Sequence, residues 1–239
     1  MSNALIRKLE GFGPLREDDR QWLDSITNAP QEVAADVDLI REGDNPEGVH
    51  LILEGLAARY KLTTEGQRQL FAFLIPGDFC DLHVAILKRM DHSIVTLSPC
   101  KVVFIRAQTI RQLTEGRPAL LRAFWWCALV DEATLREWLV NLGQRRAELR
   151  IAHLFCELHV RMKAVGLTTD GSFELPLTQV ELGDTVGLST VHVNRTLKEL
   201  REAELVTVRG KRIVIPDVAR LRAYSGCDPA SLHLREHEA

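Results

Sequence analysis

The sequence predicts an α+β chain in three parts: an N-terminal β jelly roll, a long helix, and a C-terminal module of two short helices with a strand hairpin. Three observations carry this reading. From about residue 30 to 106, short apolar runs alternate with glycine turns, and almost no helical period separates them. From 109 to 143 the apolar period becomes helical and continuous. Residues 177–217 then carry two helix-start signals across a glycine, followed by two β-rich runs around "RGKR".

Taken in order, residues 4–27 read as helical: Leu5, Ile6 and Leu9 precede a Gly/Pro break at 11–14, and Trp22, Leu23 and Ile26 resume the period. The strand runs are "VHLILEG" (49–55), "LAARYKL" (56–62), "RQLFAFLIPGD" (68–78), "HSIVTLS" (92–98) and "CKVVFIR" (100–106). Glycines punctuate them, with "EGDNPEG" and "TTEGQ" supplying turn chemistry. The following helix opens at Pro118. Between 119 and 130 it is apolar around nearly its whole circumference, so it needs cover on more than one side. A small roll covers one face, which leaves the other for a symmetry mate. A break at "NLG" (141–143) precedes a second helix over 144–165, with Ala147, Ile151, Leu154, Phe155 and Leu158 facing inward.

In the C-terminal module Thr178 and Glu181 fit a capping box that starts a helix running to Val186. Gly187 allows a tight turn and Ser189 caps the next helix, whose Val193, Leu197 and Leu200 face inward toward Leu182 and Val186. "LVTV" and "RIVI" flank "RGKR" as a hairpin with Gly210 at the turn. The whole is a winged helix-turn-helix. Across 178–215, six basic residues face five acidic ones, so a nucleic-acid reading rests on placement. Arg195 and Lys198 lie outward, beside the basic tip Arg209, Lys211 and Arg212. A protein-docking module would not require that tip, and is the alternative left open.

The composition narrows the classes further. With 30 basic and 33 acidic residues over 239, the net charge is −3, so a polyanionic partner must be met by a local surface. Five scattered cysteines without a Cys-x-x-Cys pair fit a reducing compartment. No leader-like apolar segment opens the chain, and "AFWWCALV" is far too short to span a membrane, so the expectation is a soluble cytoplasmic protein. No Gly-x-Ser-x-Gly, phosphate loop or His-Glu-x-x-His occurs, and the chain is not expected to be an enzyme.

The order of roll, long helix and winged helix, together with "LTQVELGDTVGLSTVHVNRTLKEL" (177–200), resembles the Crp/Fnr family of bacterial transcription regulators. The resemblance implies a cyclic-nucleotide-binding-like roll and a homodimer zipped along 117–140, bound to double-stranded DNA at a near-palindromic site. RNA polymerase is a further partner if the protein activates. It implies base reading by Thr190, Val191, Asn194 and Arg195, and phosphate contacts from Thr178 and Gln179. His192 sits beside them, able to reach DNA or simply to cap. Arg195 suits guanine O6 and N7, and Asn194 suits adenine. Val191 departs from the family's frequent glutamate and offers only a methyl contact to thymine.

The same resemblance locates an effector pocket. Its ribose-holding Gly-Glu positions carry Asp81 and Leu82, followed by His83, and its phosphate-holding Arg-Ser positions carry His92 and Ser93. Leu135 and Arg136 stand where the nucleotide base would be touched. Without the arginine fork, and with Asp81 and Asp91 adding negative charge, a cyclic nucleotide would be repelled. No cysteine precedes Cys80, which removes the N-terminal ligands of an iron–sulfur cluster. No cofactor is expected; an unknown small-molecule effector, and haem or metal ligation by Cys80 and His83, are the alternatives left open. The domains expected are a sensor-like roll (1–116), a dimerisation helix and hinge (117–141), a winged helix-turn-helix (142–226) and a polar tail (227–239).

Overall fold

The structure is a computed structural model that describes residues 3–82 and 87–233, with the backbone alone at 114 and 115. Helices α1 (Ala4–Glu10) and α2 (Glu17–Ile26) precede the roll. Asn3 caps α1 by accepting the Ile6 N–H at 3.0 Å, and Leu5, Ile6 and Leu9 enter the core. Seven antiparallel strands follow: β1 (Gln31–Val33), β2 (Asp38–Ile40), β3 (Gly48–Glu54), β4 (Ala57–Leu62), β5 (Arg68–Leu74), β6 (Ser93–Thr96) and β7 (Cys100–Arg106). They form one sheet ordered β1-β7-β3 and another ordered β2-β6-β4-β5. The five apolar runs of the sequence fall on β3 to β7. β1 and β2 have three residues each, too few for an alternation to show.

The four-stranded sheet is apolar on both faces. Ala57, Leu74 and Ile94 point into the roll, whereas Ala58, Phe73, Val95 and Leu97 point outward into a second core shared with the C-terminal domain. Hence β6 is buried along its whole length.

After α3 (Ala107–Gly116) comes α4 (Pro118–Gln144), with the proline at its first turn, where no N–H is needed. The expected break at 141–143 is corrected: the helix runs through Gly143. Asn141 is buried and its amide donates to the Arg150 carbonyl at 3.2 Å, which favours keeping that turn intact. The chain turns instead at Arg145, whose backbone is extended, so the hinge lies three to four residues beyond the expected 141–142 boundary. One side of α4 buries Leu120, Phe124, Cys127 and Val130 in the roll's core. The other exposes Trp125 (67%), Leu129 (58%) and Leu139 (67%).

α5 (Ala147–Ala164) is buried on all sides from 151 to 160, because it is enclosed by the roll's outer sheet face and the remaining C-terminal elements. Near its end Arg161 ties the molecule together. Nη2 donates to the Phe73 carbonyl and to Asp78, both at 2.8 Å, and Nη1 donates to Glu157 at 2.9 Å. Asp78 also takes the ammonium of Lys8 from α1, and Glu157 takes the indole N–H of Trp138 from α4. Burial alone would raise the Asp78 carboxyl, but Lys8 and Arg161 outweigh it and hold the group below its ordinary range.

The C-terminal domain continues with β8 (Ser172–Glu174), α6 (Gln179–Val186), α7 (Thr190–Glu202), β9 (Thr207–Arg209), β10 (Arg212–Val214) and α8 (Val218–Ser225). The expected polar tail from 227 is corrected as far as 233. A 3-10 turn, Pro229–Leu232, returns to α4, where Leu232 is buried and the Trp126 indole donates to the His233 carbonyl at 3.2 Å. Leu232 and the His233 carbonyl thus dock a segment whose composition reads as polar. Residues 234–239 lie outside the described residues. Among the described residues, no helix is long and apolar enough to cross a membrane.

Replacing Arg161 with alanine would leave Asp78 and Glu157 buried without their shared partner. The expected cost is about 3–5 kcal/mol, read as a lower urea midpoint. An unchanged midpoint would mean that the cluster does not hold the domains together.

Candidate nucleic-acid interface

Two helices set the geometry of the candidate interface. Thr178 Oγ1 accepts the Glu181 N–H at 3.2 Å, and Glu181 Oε2 accepts the Thr178 N–H at 2.7 Å, so the capping box fixes the start of α6. Gly187 ends that helix at φ +66°, a left-handed conformation that a side chain disfavours. Ser189 Oγ then accepts the His192 N–H at 3.4 Å and opens α7.

The two helices approach closely because of Gly183. A Cβ there would sit 2.5 Å from the Leu188 carbonyl oxygen, so only glycine lets the turn fold back this tightly. Val193, Thr196 and Leu200 are buried beneath α7, and Leu197, expected inward, is half-buried at the edge. Thr196 and Leu197 lie three and four residues on from Val193, the two steps that share a helix face, and Leu197 packs against the same core.

Thr190, Val191, His192, Asn194, Arg195 and Lys198 are all exposed, with Val191 at 75%. Thr178 and Gln179 are exposed beside them. The Asn194 amide donates to Gln179 Oε1 at 2.6 Å, joining two of these residues across the turn. Arg195 and Lys198 make only loose contacts with Glu199 (3.8 Å) and Glu202 (3.7 Å), one helical turn on. Exposed pairs of this kind are weak and yield readily to a better anion.

The wing is the sheet β8-β10-β9, with Arg212 paired to Arg209 across the Gly210–Lys211 turn. Arg209 and Lys211 are exposed at its tip. Arg212 is exposed as well, and its Nε and Nη2 both donate to the Ser172 hydroxyl, at 3.0 and 2.6 Å. Its guanidinium therefore braces the wing on β8 beside the tip. β8 has three residues and shows no alternation in sequence, so nothing there announces this partner.

The expected effector pocket is a cavity of about 280 Å³ between the roll and α4. Asp81, Leu82, His92 and Leu135 line it, as expected. Ser93 and Arg136 do not. The Ser93 hydroxyl accepts the Glu42 N–H at 2.9 Å, and Arg136 faces outward to Glu132 at 2.7 Å. His83 lies outside the described residues. Sequence comparison missed the cavity's cations, which come from elements remote in sequence: Lys8, Arg59 and Lys61. Each is already paired, with Asp78, with Asp131 (3.1 Å) and with Glu42 (3.1 Å). His92 stands between Asp81 (3.3 Å) and Asp91 (2.7 Å). The expectation of a purely repulsive site is thus revised to one whose charges are mutually neutralised. A cyclic phosphate would have to compete with these carboxylates for each of the three cations. Cys80 is fully buried, burial pushes its thiol well up, and among the described residues no three His, Cys, Asp or Glu side chains converge on a metal.

Residues 30–117 match the cyclic nucleotide-binding domain and residues 149–224 the Crp-like helix-turn-helix domain, together more than half of the chain. The chain belongs to the Crp/Fnr family of transcription regulators. It is 29% identical to the transcriptional activatory protein AadR of Rhodopseudomonas palustris, covering 92% of this chain and 88% of that one. It is 25% identical to the transcriptional activator protein FnrL of Cereibacter sphaeroides over 80% and 77% of the two chains. Its fold is shared with FixK2 from Bradyrhizobium japonicum, at a TM-score of 0.72 and 23% identity, over 82% of this chain and 96% of that chain.

For this Crp/Fnr chain the tight helix-turn-helix hinges on Gly183. Alanine there should force α6 and α7 apart, lowering the melting temperature and weakening any DNA affinity together. A variant as stable as the parent would show that the turn relaxes at no cost.

Proposed function

We propose that this Crp/Fnr regulator acts as a cytoplasmic homodimer that reads a near-palindromic duplex through α7 and does not answer to cyclic nucleotides. The observation that carries the reading is the outer face of α7. Polar, cationic and methyl-bearing side chains stand exposed together there on a helix fixed by two N-terminal caps and a closely packed turn. The stripe Trp125, Leu129 and Leu139 on α4 supports dimerisation, since apolar side chains in helical register favour burial against a copy of themselves. Two such helices would enter successive major grooves about 34 Å apart.

The roles divide by chemistry. Arg195 takes guanine in its planar fork once released from Glu199. Asn194, held by Gln179, presents its carboxamide toward adenine. Val191 meets a thymine methyl, and Thr190 reads at the rim. Thr178, His192, Lys198, Arg209, Lys211 and Arg212 meet phosphates, and Gln179 serves Asn194 as well as the backbone. The named relatives are transcriptional activators, which favours RNA polymerase as a partner here. No observation favours catalysis or docking of another protein by the helix pair.

A gel-shift titration tests the reading. Arg195→Ala should weaken specific binding by roughly 10- to 100-fold, and Lys211→Ala should weaken all duplexes alike and flatten the salt dependence. Indifference to both would overturn it. Val191→Glu should move base preference toward cytosine at one position of each half-site in a selection from randomised duplexes. Unaltered preference would put Val191 away from the bases.

A further inference from the structure

The last three residues of α6 are each bonded by a side chain from outside the helix pair. Arg68 of β5 holds the Asp184 carboxylate at 2.8 Å, and Gln69 of the same strand donates to the Thr185 carbonyl at 3.1 Å. Arg150 of α5 donates through Nη1 to the Val186 carbonyl, also at 3.1 Å. Gly187 follows at once, and the turn it opens leads into α7. Arg150 differs from the other two in what else it holds. Its Nε donates to the carbonyl of Arg145, the residue at which the chain bends from α4 toward α5. That bond is 2.8 Å long, and the main-chain carbonyl of Arg150 accepts the Asn141 amide of α4 at 3.2 Å.

We propose that Arg150 is a positioning residue for DNA reading, which passes the setting of the α4–α5 bend to the turn that aims α7. The inference rests on the reading of α7 as the recognition helix. Both side-chain bonds of Arg150 go to main-chain carbonyls, and it forms no ion pair among the described residues. Its guanidinium thus serves to join two stretches of backbone and not to neutralise a carboxylate. The planar fork fixes the angle between its donors, so the two carbonyls are held in one relative placement. The Val186 carbonyl is one of the acceptors that the end of a helix leaves without an intrahelical partner, and a cation there also meets the negative end of the helix dipole. The fit is close: a Cβ on Gly187 would stand 3.7 Å from Arg150 Nη1 and 4.0 Å from Leu142 Cδ2. The last turn of α4, Arg150 and the turn into α7 therefore crowd one point. Hydrogen bonds of this kind tolerate shifts of only about half an ångström. A larger movement of the bend either breaks a bond or carries Val186 with it.

Arg150→Met, which keeps the stem and removes both donors, tests this in the full chain. Without DNA, amide hydrogen exchange should rise together over 143–147 and 185–190, while the middle of α5 and the roll keep their protection. In a gel-shift titration, affinity for the selected near-palindromic duplex should fall about tenfold. Affinity for an unrelated duplex should hold, because the cations of α7 and the wing are untouched. Arg195→Ala added to Arg150→Met should cost less than Arg195→Ala alone, since a misplaced fork has less to lose. Arg150→Lys keeps the charge but replaces the fork by a single donor point. It should show the same exchange pattern, and it decides the matter if the methionine variant fails to fold. Unchanged exchange, a rise in one segment alone, or equal losses on both duplexes would each overturn the proposal. A wild-type chain that selects no duplex would sink the DNA reading itself, whereas exchange alone decides whether Arg150 couples the bend to the turn.

Discussion

A guanidinium withdrawn from water must find carboxylates and carbonyls, and Arg161 finds them on elements that the sequence keeps far apart. Its partners are Phe73 on β5, Asp78 just beyond that strand and Glu157 one turn back on α5. Through them it reaches Lys8 on α1 and Trp138 on α4. Burying such charges is costly, and only a nearly complete set of partners makes it tolerable. The consequence is geometric: α1, the roll, α4 and α5 must all be in place for the cluster to close.

The second core makes the same demand through apolar contacts. Phe73, Val95 and Leu97 on the outside of the roll share one core with α5, Trp138 of α4 and the C-terminal elements. The winged helix is therefore seated on the roll and not hung from a free linker. Arg68 extends the seat to α6, bonding Asp184 at 2.8 Å, and Gln69 donates to the Thr185 carbonyl at 3.1 Å. A shift of β5 relative to α5 would be felt at the helix that supports α7. Arg59 likewise joins β4 to α4 through Asp131 at 3.1 Å.

The winged helix was the most legible part of the chain. The capping box at Thr178, the left-handed Gly187 and the Ser189 cap are local bonds between residues close in sequence, and each stands where its motif placed it. The exposed face of α7 followed from the same short-range periodicity. Less legible were the residues whose partners are remote. Nothing local announces that Arg212 leans on Ser172, and Ser93 and Arg136 drop out of the pocket because neighbours engage them.

Local chemistry, then, determined the elements, the order of the three parts and the outward residues of α7, because caps, turns and apolar periods act over a few residues. Only the tertiary structure decided where the hinge falls, that residues 227–233 return to α4, and that the cavity's cations are already spent on carboxylates. Those outcomes depend on contacts between segments remote in sequence, such as the 158 residues between Arg7 and the Val165 carbonyl, and no short-range pattern records such distances.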